Sequence, residues 1–148
     1  MTYIQSALCV SVLWLGGCAA SNPSPVATPT VPTPPQITVA SAVNALAQAV
    51  DGAVSSTIAA RNAGKVSAAD ASAIEGFTVQ ISITGKAIDA ELRSVDTWDV
   101  QRGKILTMVT GAGLTTLKAH ISPGAQLFVS SLVALGNQIS TAVGGPTI

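Results

Sequence analysis

The chain has 148 residues, enough for one folded domain and hardly two, and its seven basic and seven acidic side chains cancel. All fourteen charges lie between Asp51 and Lys118, so no basic patch gives an electrostatic reason to bind nucleic acid. Only 9% of residues are charged and 3% aromatic, while the 48% hydrophobic share leans on alanine, a composition that suits thin, closely packed helices.

The N-terminus comes first. Residues 7–15, "ALCVSVLWL", form an apolar run of signal-peptide length. It is shorter than the ~20 residues of a permanent membrane span. Leu15, Gly16, Gly17 and Cys18 follow. Here the chain resembles a bacterial lipoprotein precursor, whose lipobox is an apolar residue, two small residues and a cysteine. The resemblance implies a signal peptide over 1–17 and a lipid-bearing Cys18. Leu15, Gly16 and Gly17 would be the residues recognised at the cleavage site. Cys18 would carry covalent diacylglycerol and an N-acyl chain such as palmitate. Ala19, where an aspartate would favour the inner membrane, implies the periplasmic face of a Gram-negative outer membrane. Acyl chains contribute ~0.8 kcal/mol per buried methylene, so several chains anchor firmly where one would not. Two other readings stay open: a secretory peptide cut near "CAAS", giving a secreted or periplasmic chain, and an uncleaved apolar helix.

Residues 22–36, "NPSPVATPTVPTPPQ", are uncharged and six of the fifteen are proline. Proline fixes φ and removes a backbone donor, so the stretch favours polyproline II. These fifteen residues reach roughly 45 Å at ~3.1 Å per residue, and the linker is expected to span 18–36. The expected helical domain is 37–148.

In that domain Val39, Val43, Leu46, Val50, Val54 and Ile58 recur every three or four residues, which predicts one buried stripe on a first helix. Gly64 is placed to end it, with Arg61 suiting the helix dipole. Ser67, with Asp70 three residues on, predicts the start of a second helix near Ala68. Ile74, Phe77, Ile81, Ile88, Leu92 and Val95 fit one face, with Thr84 or Gly85 in the gap. "FTVQISIT" also alternates as a strand would, but it lacks a partner strand and its flanks read as helix. Ser94 or Asp96 is the expected cap of a third helix, with Asp99 in its first turn and Val100 or Gln101, Ile105, Met108, Ala112 and Thr115 or Thr116 on one face. "TGAG", 110–113, weakens that helix, and the second and third segments could fuse. Ser122 and Pro123 predict the start of a last helix. In it Phe128, Leu132, Leu135, Ile139 and Val143 share a face. Its polar residues, among them Asn137 and Gln138, argue for a buried helix rather than a span. The predicted fold is all-α: three or four antiparallel helices, an up-and-down bundle or paired hairpins.

No catalytic constellation is visible. His120 is the single histidine, and a chain cut before Cys18 keeps one thiol, so neither a zinc site nor a Cys-His pair is expected. His120 is expected near a helix C-terminus. Asp89, Glu91, Asp96 and Asp99 interleave with Arg93, Arg102 and Lys104 as a solvated, salt-bridged face would. Trp98 suits packing across a helix junction first, and an anchor for a partner as the alternative.

The sequence therefore predicts a lipid-anchored, non-enzymatic envelope protein without cofactors. It would work through helix surfaces, by self-association or by docking a partner. "ARNAGKVSAADASAIEG" also resembles a hairpin of small alanine-rich helical proteins of tailed phages and prophages, and the lipobox and stalk are similar to those of outer-membrane spanin lipoproteins. Those resemblances imply a part in phage lysis or superinfection exclusion. A periplasmic carrier of an apolar ligand is a further alternative.

Overall fold

The computed structural model describes residues 32–148, and within them the protein is all-α. The helices are α1 (Pro34–Asn62), α2 (Ala68–Leu92), α3 (Trp98–Gly111), α4 (Leu114–Ala119) and α5 (Ser130–Ala142). A 3-10 turn, Gln126–Val129, precedes α5. Packed antiparallel, α1, α2, the α3–α4 pair and α5 make four passes.

Two apolar clusters fix that up-and-down order. One gathers Leu46, Ala53 and Ala60 of α1, Ile74, Phe77 and Ile81 of α2, Leu114 of α4, and Val129 and Leu132 around the start of α5. The other gathers Val39 and Val43 of α1, Ile88 of α2, Ile105 and Val109 of α3, and Ile139 and Val143 at the end of α5. Each pass therefore joins the two clusters in the direction opposite to its predecessor.

Helix α1 starts at Pro34, inside the segment expected to be linker. Prolines are tolerated in a first turn, where the missing N–H would have no helical partner. Gln36 reaches back, its Oε1 accepting from the Thr33 N–H at 2.9 Å. The helix ends as expected at Gly64. There the Gly64 N–H donates to Arg61 O and the Lys65 N–H to Ala60 O, a Schellman closure that needs the positive φ of 68° at Gly64. Among the described helices, α1 alone is long and apolar enough to cross a membrane by length and composition.

The predicted start of α2 holds: Ser67 Oγ accepts from the Asp70 N–H at 3.0 Å. Residues 78–84 are helical, and Thr84 and Gly85 both fill the expected gap in the buried face. At that gap α1 comes close, because a Cβ on Gly85 would lie 2.9 Å from Leu46 Cδ2. The face ends sooner than expected. α2 stops at Leu92, and Val95 stands fully exposed in the loop.

The cap of α3 is Thr97 rather than Ser94 or Asp96. Both expected caps are otherwise engaged: Ser94 Oγ donates to Glu91 Oε1, and the Asp96 carboxylate pairs with Lys104. The inner face of α3 is Gln101, Ile105 and Val109; Val100, Thr115 and Thr116 are exposed. "TGAG" breaks the pass into α3 and α4, with Gly113 at φ 62° between them.

The last helix starts later than Ser122 and Pro123 predict. Ser122 O accepts from the Ala125 and Gln126 N–H groups in a turn, and regular α-helix begins only at Ser130. Gly124, a poor helix former, follows Pro123 directly. The 3-10 turn also rotates Val129, instead of Phe128, fully into the core. At 13 residues α5 is about 20 Å long, short of a ~30 Å hydrocarbon layer. The chain after it folds back: the Ile148 N–H donates to Asn137 Oδ1 at 2.6 Å, and Lys118 Nζ donates to Ile148 O at 3.1 Å.

Candidate interaction surface

The predicted stripe on α1 holds over its first half only. Val39, Val43 and Leu46 are buried, but Val54 and Ile58 are exposed, Ile58 by 56%. The cause is helical geometry. At 3.6 residues per turn each four-residue step advances about 40° beyond a full turn. Three such steps from Leu46 carry Ile58 about 120° round the helix. Ala53, Thr57 and Ala60 stay within about 40° of Leu46 and take the inner positions. Thr57 is tolerated there because its hydroxyl donates to Ala53 O at 2.7 Å.

On α2, Val79 and Ile83 are likewise outside, 53% and 56% exposed. With Val54 and Ile58 they border an open groove of about 690 Å³ formed by α1 and α2 alone. Its buried lining is Thr57, Ala71, Ile74 and Thr78. Arg61 and Glu75 lie towards one end of the groove and Lys86 towards the other. Among the described residues none of these three is in an ion pair. The packed interior offers little by comparison. The void bordered by Leu46, Gly85, Leu114 and Ile148 is about 10 Å³, too small for an apolar ligand.

The other singled-out residues are engaged in holding the fold. Trp98 is half-buried at the first position of α3, packed on the second apolar cluster at the α2–α3 junction. His120 closes α4, as expected, with its Nδ1 2.7 Å from Thr116 O. Of the expected charged group, Asp89, Glu91, Arg93, Asp96 and Lys104 form a salt-bridged corner, while Asp99 and Arg102 are in no ion pair among the described residues. Arg93 holds Asp89 through two hydrogen bonds at 3.0 and 3.1 Å, and Lys104 bridges Glu91 at 3.1 Å and Asp96. Hydrogen bonds and charge from Lys104 hold the Asp96 carboxyl below the usual carboxylate range, and Asp96 and Glu91 raise Lys104 in turn. Among the described residues no group of three His, Cys, Asp or Glu is placed to hold a metal ion. Cys18, Leu15, Gly16 and Gly17 lie outside the described residues.

Two polar groups carry more than their sequence positions suggest. Gln101 is 2% exposed. Its Nε2 donates to Glu91 O at 3.1 Å and to Ser94, and its Oε1 accepts from Gln36 Nε2 at 2.8 Å. It thus joins the start of α1 to the α2–α3 corner. Asp70, in the first turn of α2, accepts from the capping Ser67 hydroxyl on Oδ2 and takes the Ser122 N–H on Oδ1, both at 2.8 Å. That backbone bond, then the Ser67 hydroxyl, lowers the Asp70 pKa. The groove was legible in principle, through the rotation of the 4-4-4 spacing on α1. Val79 and Ile83 had drawn notice only as part of a strand-like alternation. No protein-family model matches the chain, and no curated protein or solved structure matches it.

Proposed function

We propose that this is a lipid-anchored, non-catalytic envelope protein whose helical unit is an interaction module. The anchor rests on the sequence of Leu15, Gly16, Gly17 and Cys18. The interaction role rests on one observation: the exposed apolar groove of Val54, Ile58, Val79 and Ile83 along α1 and α2. Isolated apolar side chains on a surface need no explanation, but several that border one concavity mark a contact site. The ionisable groups at the α2–α3 corner and the imidazole of His120 have structural partners, in keeping with a role that is not catalytic.

The proline-rich segment between Cys18 and α1 acts as a stalk that holds the groove away from the lipid surface. The site of action is the periplasmic face of the outer membrane. A phage lysis or exclusion lipoprotein would use the same anchor and stalk.

The decisive experiment is metabolic labelling with palmitate in a Gram-negative host, followed by fractionation. The wild-type chain should take up label and sediment with outer membrane. The Cys18→Ser chain should do neither. Equal labelling of the two chains would reject the anchor.

A further inference from the structure

The charges around the groove suggest what covers it. Glu75 and Lys86 lie eleven residues apart on α2, about 16 Å along the axis and nearly in line. Between them the outer face presents Val79, Ser82 and Ile83, and the short Thr78 forms part of the floor. Neither Glu75 nor Lys86 is in an ion pair among the described residues.

This arrangement is complementary to itself when reversed. A two-fold axis perpendicular to α2, passing beside it level with the Gln80–Ile81 bond, sets Glu75 opposite the partner's Lys86. Val79 and Ile83 lie on one side of the Glu75–Lys86 line, so the same axis sets them beside the partner's Ile83 and Val79 on that side of the seam. Isologous contacts of this kind, where residue i meets j and j meets i, are the commonest way a chain closes on itself. Resting on the reading of this groove as an interaction site, we infer that its occupant is a second copy of the chain, with the two α2 helices antiparallel. The partner's Ile83 packs beside Val79, and its Val79 beside Ile83. The apolar strip supplies the contact area, and the two equivalent Glu75–Lys86 pairs set direction and register.

The test is sedimentation equilibrium of the full chain in a mild non-ionic detergent. The wild type should show a monomer–dimer equilibrium. Glu75→Lys alone sets lysine against lysine, and Lys86→Glu alone sets glutamate against glutamate. Each should weaken the dimer at least about tenfold. Mixing the two single variants should restore dimers, because both contacts in the mixed pair become Lys–Glu. The double variant Glu75→Lys/Lys86→Glu should also recover. Ile83→Asp should abolish association with the helical circular dichroism signal unchanged, since Ile83 is already exposed.

A wild-type chain that stays monomeric up to about 0.5 mM overturns the inference, well beyond the micromolar range where a specific interface would form. So does a mixture that fails to rescue the single variants. A monomeric chain whose in-cell cross-link to another envelope protein is lost in Ile83→Asp also rejects the second copy, while the interaction-module reading survives. If Ile83→Asp changes neither association nor any cross-link, both readings fall. Palmitate labelling bears on the anchor alone and is independent of all these outcomes.

Discussion

Asp70 and Ser122, 52 residues apart in sequence, are joined by one hydrogen bond: the Ser122 N–H donates to Asp70 Oδ1 at 2.8 Å. The other carboxylate oxygen accepts from Ser67 Oγ at 2.8 Å. One side chain thus braces the Ser67 cap of α2 and pins the loop between α4 and α5. Asp70→Ala should lower the melting temperature more than Asp70→Asn, because the amide oxygen can still accept from Ser122. The sign of the pH effect follows from the lowered pKa. Asp70 binds its proton less readily in the folded chain than in the unfolded one, where its pKa is ~3.9. Its stabilising effect is therefore complete above that value and disappears as pH falls through the lower folded value. Thermal melts between about pH 5 and pH 2 should show a shallower acid loss in Asp70→Asn than in wild type. Parallel curves would mean that the carboxylate contributes nothing through its charge.

Local signals in the sequence proved the more legible ones. Gly64, Ser67 and Asp70 act where they stand, because a cap or a Schellman closure depends on neighbours a few residues away. The all-α class followed from the same short-range patterns. What stayed hidden depends on distant partners. Ser94 and Asp96 are fair caps in isolation, but Glu91 and Lys104 engage them, and Thr97 starts α3 instead. Nothing near Gln101 in sequence announces Gln36, which is 65 residues away. The groove fell between these cases. Val54 and Ile58 are apolar, and only the accumulated helical rotation shows that they face outward.

Gln101 sets up a second prediction. Its side chain is buried, with Gln36, Glu91 O and Ser94 as partners. Gln101→Leu keeps much of the volume but leaves the Glu91 and Gln36 groups without their partner. Each unsatisfied buried group costs about 1–3 kcal/mol, so the variant should lose about 2–4 kcal/mol in urea unfolding. Gln36→Ala, which removes one bond at a half-buried site, should lose about 1 kcal/mol. If Gln101→Leu is neutral, water has replaced the lost bonds and the corner is wetter than its burial suggests.

Two glycines in the same helix should respond oppositely to added bulk. Gly76 and Gly85 are both inside α2. A Cβ on Gly76 meets nothing within 4 Å, whereas one on Gly85 lies 2.9 Å from Leu46 Cδ2. Gly76→Ala should stabilise the chain by roughly 0.5–1 kcal/mol, the usual helix-propensity gain. Gly85→Val would push two branches into the α1–α2 contact, where Leu46 is itself buried. It should cost about 2–3 kcal/mol through overpacking. Chemical denaturation of the two variants side by side checks both signs, and equal effects would show that α1 and α2 can separate freely at this point.

The rotation of the α1 stripe gives the sharpest contrast between residue type and residue position. Ranked by hydrophobicity, Ile58 should matter more to the core than Ala53. Their positions reverse that order: Ile58 is 56% exposed and Ala53 only 4%. Ile58→Gln should change folding stability by less than about 0.5 kcal/mol, as substitutions outside the core usually do. Ala53→Leu adds bulk where Leu46, Phe77 and Val129 already pack in the same cluster, and should cost about 1–3 kcal/mol. Urea unfolding has to be read at low protein concentration, where association through the groove adds nothing to the apparent stability. If Ile58→Gln proves the more damaging of the two under those conditions, α1 is rotated from the position described and the groove loses its apolar wall. If Ala53→Leu is the more damaging, the inner face is set by small residues, and the large ones at Val54 and Ile58 are left for a surface outside the monomer's own core.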